Sequence, residues 1–196
     1  MEIITSTGGL AAKRFWEVIH AGGIVVYPTD TVYGFGVDST NREAVNRLIA
    51  LKGRGGPFSV MVGSLKLMTK YALISQPLQI KLCKRFPGPF TFILEVPKTS
   101  PITAKVRGTE NKVGFRVPDH QFVRSVFEMN DTPIVTTSVN KTGRSPQQDP
   151  TAILADFDGE VELLIDDGVL PPSVGSTVVD GTLENWQIVR QGAGVL

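Results

Sequence analysis

The chain of 196 residues carries 20 lysines and arginines against 19 aspartates and glutamates, so its formal net charge at pH 7 is +1. A composition of 41% hydrophobic and 20% charged residues is typical of a globular protein and excludes long disordered or collagen-like segments. The charge is not that of a general nucleic-acid coat protein, and no apolar run approaches the ~20 residues that span a bilayer.

Short apolar runs alternate with helical patterns along the chain, which predicts an α/β or mixed α+β architecture. No stretch has the composition of an interdomain linker, so we expect residues 1–196 to form a single domain. Apolar residues at three- and four-residue spacing predict helices over 8–21, 41–52, 76–86, 119–129 and 150–157. Asp119 is expected to cap the fourth of these. Apolar runs bounded by turns predict strands over 24–27, 59–62, 90–96, 113–117, 134–137, 161–165, 177–180 and 187–190.

Residues that serve as thiol nucleophiles, imidazole bases or zinc ligands are scarce in this chain. Cys83 is the one cysteine, so an intramolecular disulfide is excluded, and its helical apolar surroundings predict a position in the core. Only His20 and His120 accompany it, which argues against a structural zinc site. The N-terminus lacks the basic and apolar regions of a secretory signal, and we expect a cytoplasmic protein without membrane contact.

The first motif, YPTDTVYGFG, covers residues 27–36 directly after a predicted strand. Hydroxyls, a carboxylate and glycines at a strand end suit the binding of a small polar ligand. Threonine and aspartate also satisfy backbone groups in turns, so a hydrogen-bonded turn without a ligand is the alternative. The segment Gly34-Phe35-Gly36 lacks the third glycine of the dinucleotide fingerprint, and a Rossmann nucleotide site is therefore not expected.

The second motif is the glycine-rich loop that follows the helix over 41–52, with Lys52 and Arg54 as its cations. An arginine fork and a lysine point charge beside flexible glycines suit phosphate binding. Alternatively, the cations complement the negative end of the helix dipole while the glycines cap the helix. The loop lacks the GxxxxGK(S/T) pattern of Walker-type phosphate loops.

Charged and hydroxyl side chains recur at other predicted strands. Arg116 lies within an apolar strand, where a charge must be paired, bind an anion or face solvent. Residues 136–140 follow one strand with hydroxyls and an amide, Ser176 precedes another, and Arg190 ends the last. No thiol, imidazole or carboxylate cluster accompanies this set. Such residues suit the binding of a polyanion and the stabilisation of charge in phosphoryl or nucleotidyl transfer.

Seven segments, in chain order, resemble the YrdC/Sua5 family of threonylcarbamoyl-AMP synthases: YPTDTVYGFG, KGR, PGPFTFIL, VGFRVP, TSVNKTG, GSTVVD and IVRQGA. The resemblance runs from about Gly22 to Ala193, and the chain looks like the short form of the family, which is the catalytic domain alone. It implies a YrdC-like fold, in which a twisted mixed β-sheet with flanking helices presents a basic concave face.

The resemblance also implies a reaction. Members of the family join L-threonine, bicarbonate or CO2, and ATP with its Mg²⁺ into threonylcarbamoyl-AMP, and they release pyrophosphate. The product feeds the formation of threonylcarbamoyladenosine (t6A) in tRNA. Hand-off of the product to a tRNA threonylcarbamoyl transferase is therefore implied.

The matching motifs assign roles to individual residues of this chain. The resemblance implies that Lys52 and Arg54 are the catalytic cations that contact the phosphates of ATP. It implies that Arg116 pairs with the carboxylate of threonine, and that Thr31 and Ser176 lie on the threonine side. The further residues implied at the nucleotide are Thr136, Ser138, Asn140 and Arg190. No protein ligand for a metal is implied, because Mg²⁺ arrives with ATP.

The chain departs from the family pattern at several positions. The loop after Arg54 is only Gly55-Gly56-Pro57, and Met61 stands where many members have a histidine. Val139 replaces a usual alanine, and Gly175 replaces a larger residue. These differences are expected to affect the threonine pocket more than the phosphate site. Two other functions remain open: a double-stranded RNA- or tRNA-binding or ribosome-maturation module, and a YrdC-fold paralogue with a changed substrate.

Overall fold

A computed structural model describes residues 1–141 and 143–196 of the protein. In this part of the chain the strands are β1 (Glu2–Thr5), β2 (Val25–Tyr27), β3 (Gly34–Asp38), β4 (Ser59–Met61), β5 (Phe90–Glu95), β6 (Lys112–Arg116), β7 (Ile134–Ser138), β8 (Leu163–Asp166), β9 (Thr177–Asp180) and β10 (Gln187–Arg190). The helices are α1 (Gly9–His20), α2 (Arg42–Lys52), α3 (Leu65–Met68), α4 (Gln76–Leu82), α5 (Ala104–Arg107), α6 (Gln121–Met129) and α7 (Pro150–Phe157). None of these described helices has the length and apolar character needed to cross a membrane.

The described strands form one mixed sheet in the order β1-β8-β2-β3-β7-β4-β6-β5-β9-β10. Parallel neighbours, such as β4 and β6, alternate with antiparallel ones, such as β3 and β7. Strands that are distant along the chain therefore lie side by side at the centre of the sheet. The predicted mixed α/β architecture with flanking helices is confirmed.

Each face of the sheet has its own apolar cluster, because successive side chains of a strand point to opposite faces. The first face packs against helices that include α2 and α7. Its buried strand residues include Val26, Phe35, Val60, Phe92 and Phe115. The second face is covered at one end by α1 and α6. The strand residues beneath these two helices include Val25, Tyr27, Met61, Ile134 and Leu163.

The rest of the second face is left uncovered by α1 and α6. On β4, Met61 belongs to the apolar cluster beneath these helices, whereas Ser59 lines a cavity. On β7, Ile134 lies in the same cluster, whereas Thr136 and Ser138 line the cavity. Each strand therefore changes from apolar to polar at the point where the helix layer ends. This change creates a polar concavity beside a closed core.

Strand β3 lies mostly within a segment that the sequence indicated as a turn. Glycine is unfavourable within a strand, so Gly34 and Gly36 weaken the sequence pattern that would predict one here. A β-carbon on Gly36 would come within 2.7 Å of Cε1 of Tyr27. The glycine is required for this close approach of a neighbouring ring, which local sequence cannot reveal. Strand β1 and the short helices α3 and α5 were also not predicted.

Helix α4 is shorter than predicted, and Cys83 is exposed instead of buried. The predicted helix continued to residue 86, but α4 ends at Leu82, and Cys83 adopts the C-cap position. Leu82 is fully buried, whereas Cys83 is exposed. The predicted core position of Cys83 is therefore wrong, because the residues of this segment that face the core are Leu78, Leu82 and Phe86, at four-residue spacing, and Cys83 lies one position beyond Leu82 on the solvent side.

Helix α6 is capped by a different residue from the one predicted. The cap is His120, whose Nδ1 accepts a hydrogen bond from the backbone N–H of Phe122. Asp119 is not the cap, because its backbone N–H donates to Oδ2 of Asp30 at 3.2 Å and its carboxylate accepts from Arg124. These contacts hold Asp119 outside the helix.

Candidate active site

A cavity of about 910 Å³ opens on the uncovered part of the second face. Its floor carries the side chains of Ser59, Thr91, Thr136 and Ser138, which come from three different strands. The volume is at the upper end of the range of roughly 300–1,000 Å³ that holds small molecules and cofactors. The cavity can therefore accept a ligand as large as a nucleotide.

The described wall of the cavity is strongly positive. Its cations are Arg54, Lys105, Arg107, Lys112, Arg116 and Arg190. Its carboxylates are Glu110 and Asp180. A concave surface lined by one sign of charge focuses the electrostatic field on its opening. A protein whose net charge is only +1 therefore has one local surface that favours an anionic ligand.

Arg116 is held at the floor of this cavity by the turn that follows β2. Its side chain is 8% exposed, and Nη2 donates to Oδ1 of Asp30 at 2.6 Å and to Oγ1 of Thr31 at 3.1 Å. The Nε–H of Arg116 is buried and has no hydrogen-bond partner among the described residues. Because an unpaired buried donor is costly, this N–H is suited to an acceptor that enters the cavity.

Ser176 and Arg190 form a second part of the wall, where β9 and β10 meet. Oγ of Ser176 lies 2.7 Å from Oγ1 of Thr91, and Nη2 of Arg190 donates to the carbonyl oxygen of Ser176 at 2.8 Å. Desolvation lowers the pKa of Arg190, and the nearby charge of Arg116 lowers it further. Two guanidinium groups are thus close enough to repel each other. An anion between them would relieve that repulsion.

Lys52 lies beside the cavity and fixes the turn after β7. Its residue is 2% exposed, and Nζ donates to the carbonyl oxygens of Ser138 at 2.8 Å and Asn140 at 2.7 Å. It also donates to Oδ1 of Asn140 at 2.9 Å, which in turn accepts from Oγ of Ser138 at 2.6 Å. Burial lowers the pKa of Lys52 to about 8, and the charge of Arg54 acts in the same direction.

The low pKa of Lys52 predicts a pH dependence of stability. Its value is about 8 in the folded protein against an ordinary 10.5, so between these values the unfolded chain binds more protons. The contribution of Lys52 to the free energy of unfolding should therefore rise as the pH increases from about 8. Urea unfolding at several pH values, on the unsubstituted protein and Lys52→Met, measures this contribution as the difference between the two. A difference that does not change with pH would contradict the lowered pKa.

The structure brings most of the sequence-predicted residues to one cavity. Those on its wall are Arg54, Arg116, Thr136, Ser138, Ser176 and Arg190. The remaining three stand one hydrogen bond behind the wall: Thr31 behind Arg116, and Lys52 and Asn140 behind Ser138. The predicted residues therefore lie on the wall of one cavity or directly behind it.

The departures from the family pattern occupy different surroundings. Met61 is fully buried in the apolar cluster beneath α1 and α6 and does not line the cavity. Val139 is buried in the cluster on the first face. Gly175 and the short loop do reach the cavity, since Gly175, Gly56 and Pro57 are on its wall. The cavity differences expected from the sequence are therefore confined to the loop and to Gly175.

Several wall residues were missed by the sequence analysis. Lys105, Arg107 and Lys112 come from α5 and the start of β6, a segment without a recognised motif. Three cations within eight residues were a usable signal. Thr91 lies within the PGPFTFIL segment but has no local feature that distinguishes it from a strand threonine. Only the hydrogen bond with Ser176, 85 residues away, identifies it.

Comparison with known proteins agrees with the fold and the motifs. The family Sua5_yciO_yrdC, described as "Telomere recombination", matches residues 17–192. The "Threonylcarbamoyl-AMP synthase" of Pyrococcus abyssi (strain GE5 / Orsay) is 32% identical over 181 residues, which are 91% of this chain and 52% of that protein. This chain therefore spans about half the length of that relative.

Two solved structures are similar over nearly the whole chain. P. abyssi Sua5 complexed with L-threonine has a TM-score of 0.90 and 26% identity, over 98% of this chain and 58% of that one. E. coli YciO has a TM-score of 0.87 over 99% of this chain and 95% of that one, and at 23% identity it supports the fold alone. From the family match across residues 17–192 and the relative at 32% identity, we conclude that the chain belongs to the Sua5/YciO/YrdC family.

Proposed function

We propose that the protein is an L-threonylcarbamoyladenylate synthase, which converts L-threonine, bicarbonate or CO2, and Mg²⁺-bound ATP into threonylcarbamoyl-AMP and pyrophosphate. The observation that carries this proposal is one cavity that combines the buried Arg116 and its unpaired N–H with the further cations Arg54 and Arg190. Such a cavity suits a carboxylate and a polyphosphate together. The 32% identity to the P. abyssi threonylcarbamoyl-AMP synthase supports the reaction, and the L-threonine complex of P. abyssi Sua5 supports the amino acid.

On the threonine side, we assign the carboxylate to Arg116. Asp30 holds the guanidinium through the 2.6 Å ion pair with Nη2, and Oγ1 of Thr31 accepts a hydrogen bond from the same nitrogen. Ser176, hydrogen-bonded to Thr91, flanks the amino acid. The amine nitrogen of threonine forms a bond to the carbon of CO2 and loses a proton to solvent, which gives a carbamate. This bond needs no nucleophile from the protein, because the substrate supplies it.

On the nucleotide side, a carbamate oxygen bonds to the α-phosphorus of ATP while the bond from that phosphorus to the bridging oxygen of the β-phosphate breaks. Pyrophosphate leaves with Mg²⁺. The barrier comes from charge repulsion and from orientation, both of which fixed cations reduce. Arg54, exposed at the start of the loop after α2, is assigned to the phosphates, and Arg190 is assigned to the nucleotide. Lys52 keeps the Ser138–Asn140 turn in place beside them.

Pyrophosphate release tests the proposal directly. Release should require L-threonine, bicarbonate and Mg²⁺-ATP together, and the product should have the mass of threonylcarbamoyl-AMP. A panel of other amino acids separates this activity from that of a paralogue with a changed substrate, which would respond to a different one. Stabilisation of the fold by double-stranded RNA in a salt-sensitive manner, with none by L-threonine and ATP, would instead favour an RNA-binding module.

Substitution of the two loop cations should slow adenylate formation. We expect both Arg54→Ala and Lys52→Ala to reduce the rate of pyrophosphate release more than about tenfold, because the first removes a charge at the phosphates and the second removes the hydrogen bonds that hold the Ser138–Asn140 turn. Arg54→Ala should act mainly on the KM for ATP, whereas Lys52→Ala should also disturb the Ser138–Asn140 turn. Arg42→Ala, on the exposed start of α2, is the matched control and should leave the rate unchanged. Normal release by folded Lys52→Ala protein would contradict its role.

We further propose that residues 1–196 work as one domain in the cytoplasm and pass the product to a tRNA threonylcarbamoyl transferase. A carbamoyl adenylate is a labile mixed anhydride, so transfer close to its site of synthesis limits its loss. Adding such a transferase with tRNA to the reaction should yield t6A in the tRNA, and mass analysis of the tRNA nucleosides measures it.

A further inference from the structure

Thr136 on the cavity floor has a hydroxyl proton that the described residues leave unused. Its residue is 4% exposed, and its Oγ1 accepts a hydrogen bond from the Tyr27 hydroxyl at 2.7 Å. Among the described residues, no acceptor takes the hydroxyl proton of Thr136 itself. Because Thr136 lies on the cavity wall, a ligand in the cavity can accept this proton.

Tyr27 lies in a position that fixes this direction. It is fully buried among apolar residues, including Phe15, whose ring meets its own edge-to-face at 5.6 Å. Burial raises the pKa of Tyr27 to about 12, so the phenol stays protonated at neutral pH. Oγ1 of Thr136 is the one acceptor that the described residues offer to this O–H, so the tyrosine must donate and the threonine must accept.

Strand β3 is built to allow this contact. It runs between β2 and β7, and Gly36 is the residue of β3 opposite Thr136. A β-carbon on Gly36 would lie 2.7 Å from the Tyr27 ring, and one on Gly34 would lie 3.3 Å from Oγ1 of Thr136. The tyrosine therefore crosses the glycine strand to reach a hydroxyl two strands away. The two glycines of the GFG segment thus leave room for the hydrogen bond between Tyr27 and Thr136.

We propose that Tyr27 is a positioning residue that orients the Thr136 hydroxyl so that it donates its proton to an anionic oxygen of the bound ligand. A threonine hydroxyl has one proton and two lone pairs; the tyrosine occupies one lone pair, and the proton, which no described residue accepts, is left for an acceptor in the cavity. The unpaired Nε–H of Arg116 provides a second donor on the same floor. The inference rests on the proposed function, which supplies two candidate acceptors: a phosphate of ATP and the carboxylate of L-threonine.

Calorimetric titration with Mg²⁺-ATP alone and with L-threonine alone tests the proposal. Tyr27→Phe keeps the ring and removes only the donor, and it should weaken binding of one ligand about fivefold. Thr136→Val should weaken the same ligand about tenfold or more, and Thr136→Ser should retain most of the affinity. Loss confined to ATP identifies a phosphate as the acceptor, and loss confined to threonine identifies the carboxylate.

The double variant Tyr27→Phe/Thr136→Val distinguishes positioning from a general effect on structure. Because Tyr27 acts through Thr136, the double variant should bind no more weakly than Thr136→Val. Tyr71→Phe, which removes a hydroxyl bonded to the Asp131 carbonyl oxygen, is the matched control and should bind both ligands normally. An unchanged affinity in Tyr27→Phe, or an equal further loss in the Thr136→Val background, would overturn the proposal. If the unsubstituted protein binds neither ligand, the proposed function itself fails, and this inference fails with it.

Discussion

Arg116→Ala is expected to lower kcat/KM for L-threonine by roughly 100-fold or more. The substitution removes a cavity-lining guanidinium whose buried Nε–H has no partner among the described residues, and with it the charge proposed to bind the carboxylate of threonine. Affinity for Mg²⁺-ATP should fall much less, because Arg54 and Arg190 remain on the wall. Pyrophosphate release at varied L-threonine, combined with calorimetry for each substrate, measures the two effects separately.

Arg116→Ala also removes the ion pair with Asp30. Removing the arginine leaves Asp30 buried and unpaired, which destabilises the protein as well as the site. The double variant Arg116→Ala/Asp30→Asn removes both charges and should recover much of the thermal stability without recovering threonine binding. Arg116→Lys, which keeps the charge but loses the planar fork, should fall between the alanine variant and the unsubstituted protein. Undiminished threonine affinity in the folded double variant would exclude Arg116 as the carboxylate partner.

Gly192→Ala is expected to reduce the free energy of unfolding by about 3 kcal/mol. A β-carbon at this position would lie 2.4 Å from the backbone carbon and oxygen of Ser176, and backbone atoms cannot move aside as a flexible side chain can. The segment after β10 would have to shift. That shift would break the 2.9 Å bonds from the Gly192 N–H to Oγ1 of Thr177 and from the Ala193 N–H to the Gly175 oxygen. Urea unfolding measures the loss.

The same variant should also weaken nucleotide binding. Arg190 precedes the displaced segment by two residues and is anchored on the carbonyl oxygen of Ser176, the atom that the new methyl group would strike. Gly9→Ala is the matched control, because a β-carbon there meets no atom within 4 Å; its stability should be unchanged or slightly higher. Equal stability of Gly192→Ala and Gly9→Ala would contradict the close packing at Ser176.

Elements with a clear local pattern were predicted well from the sequence. Helix α7 and strands β9 and β10 have the predicted bounds, and α2 begins directly after Asn41, whose side chain caps it as a local signal should. Strand β3 was missed because its glycines weaken the local strand pattern, and they are required because the Tyr27 ring packs against them. Cys83 was misplaced because it lies one position away from the residues that face the core, Leu82 and Phe86.

The motifs identified the family and nearly all of the proposed site residues, because each motif is a contiguous run whose residue types carry its chemistry. The motifs did not determine whether each charged side chain is paired within the protein, binds an anion or faces solvent. The sequence allowed Arg116 to be paired, to bind an anion or to face solvent, and the fold supplies Asp30, 86 residues away, as its partner.

The same holds for Lys52, which the sequence placed at the phosphates or at the end of a helix dipole. In the fold, its ammonium group is hydrogen-bonded to Ser138 and Asn140, 86 and 88 residues along the chain. Contacts of this kind depend on which strands become neighbours in the sheet. Strand order is set by the packing of the whole chain and leaves no trace within any one motif, so burial, pairing and hydrogen-bond direction at the site were decided only by the tertiary structure.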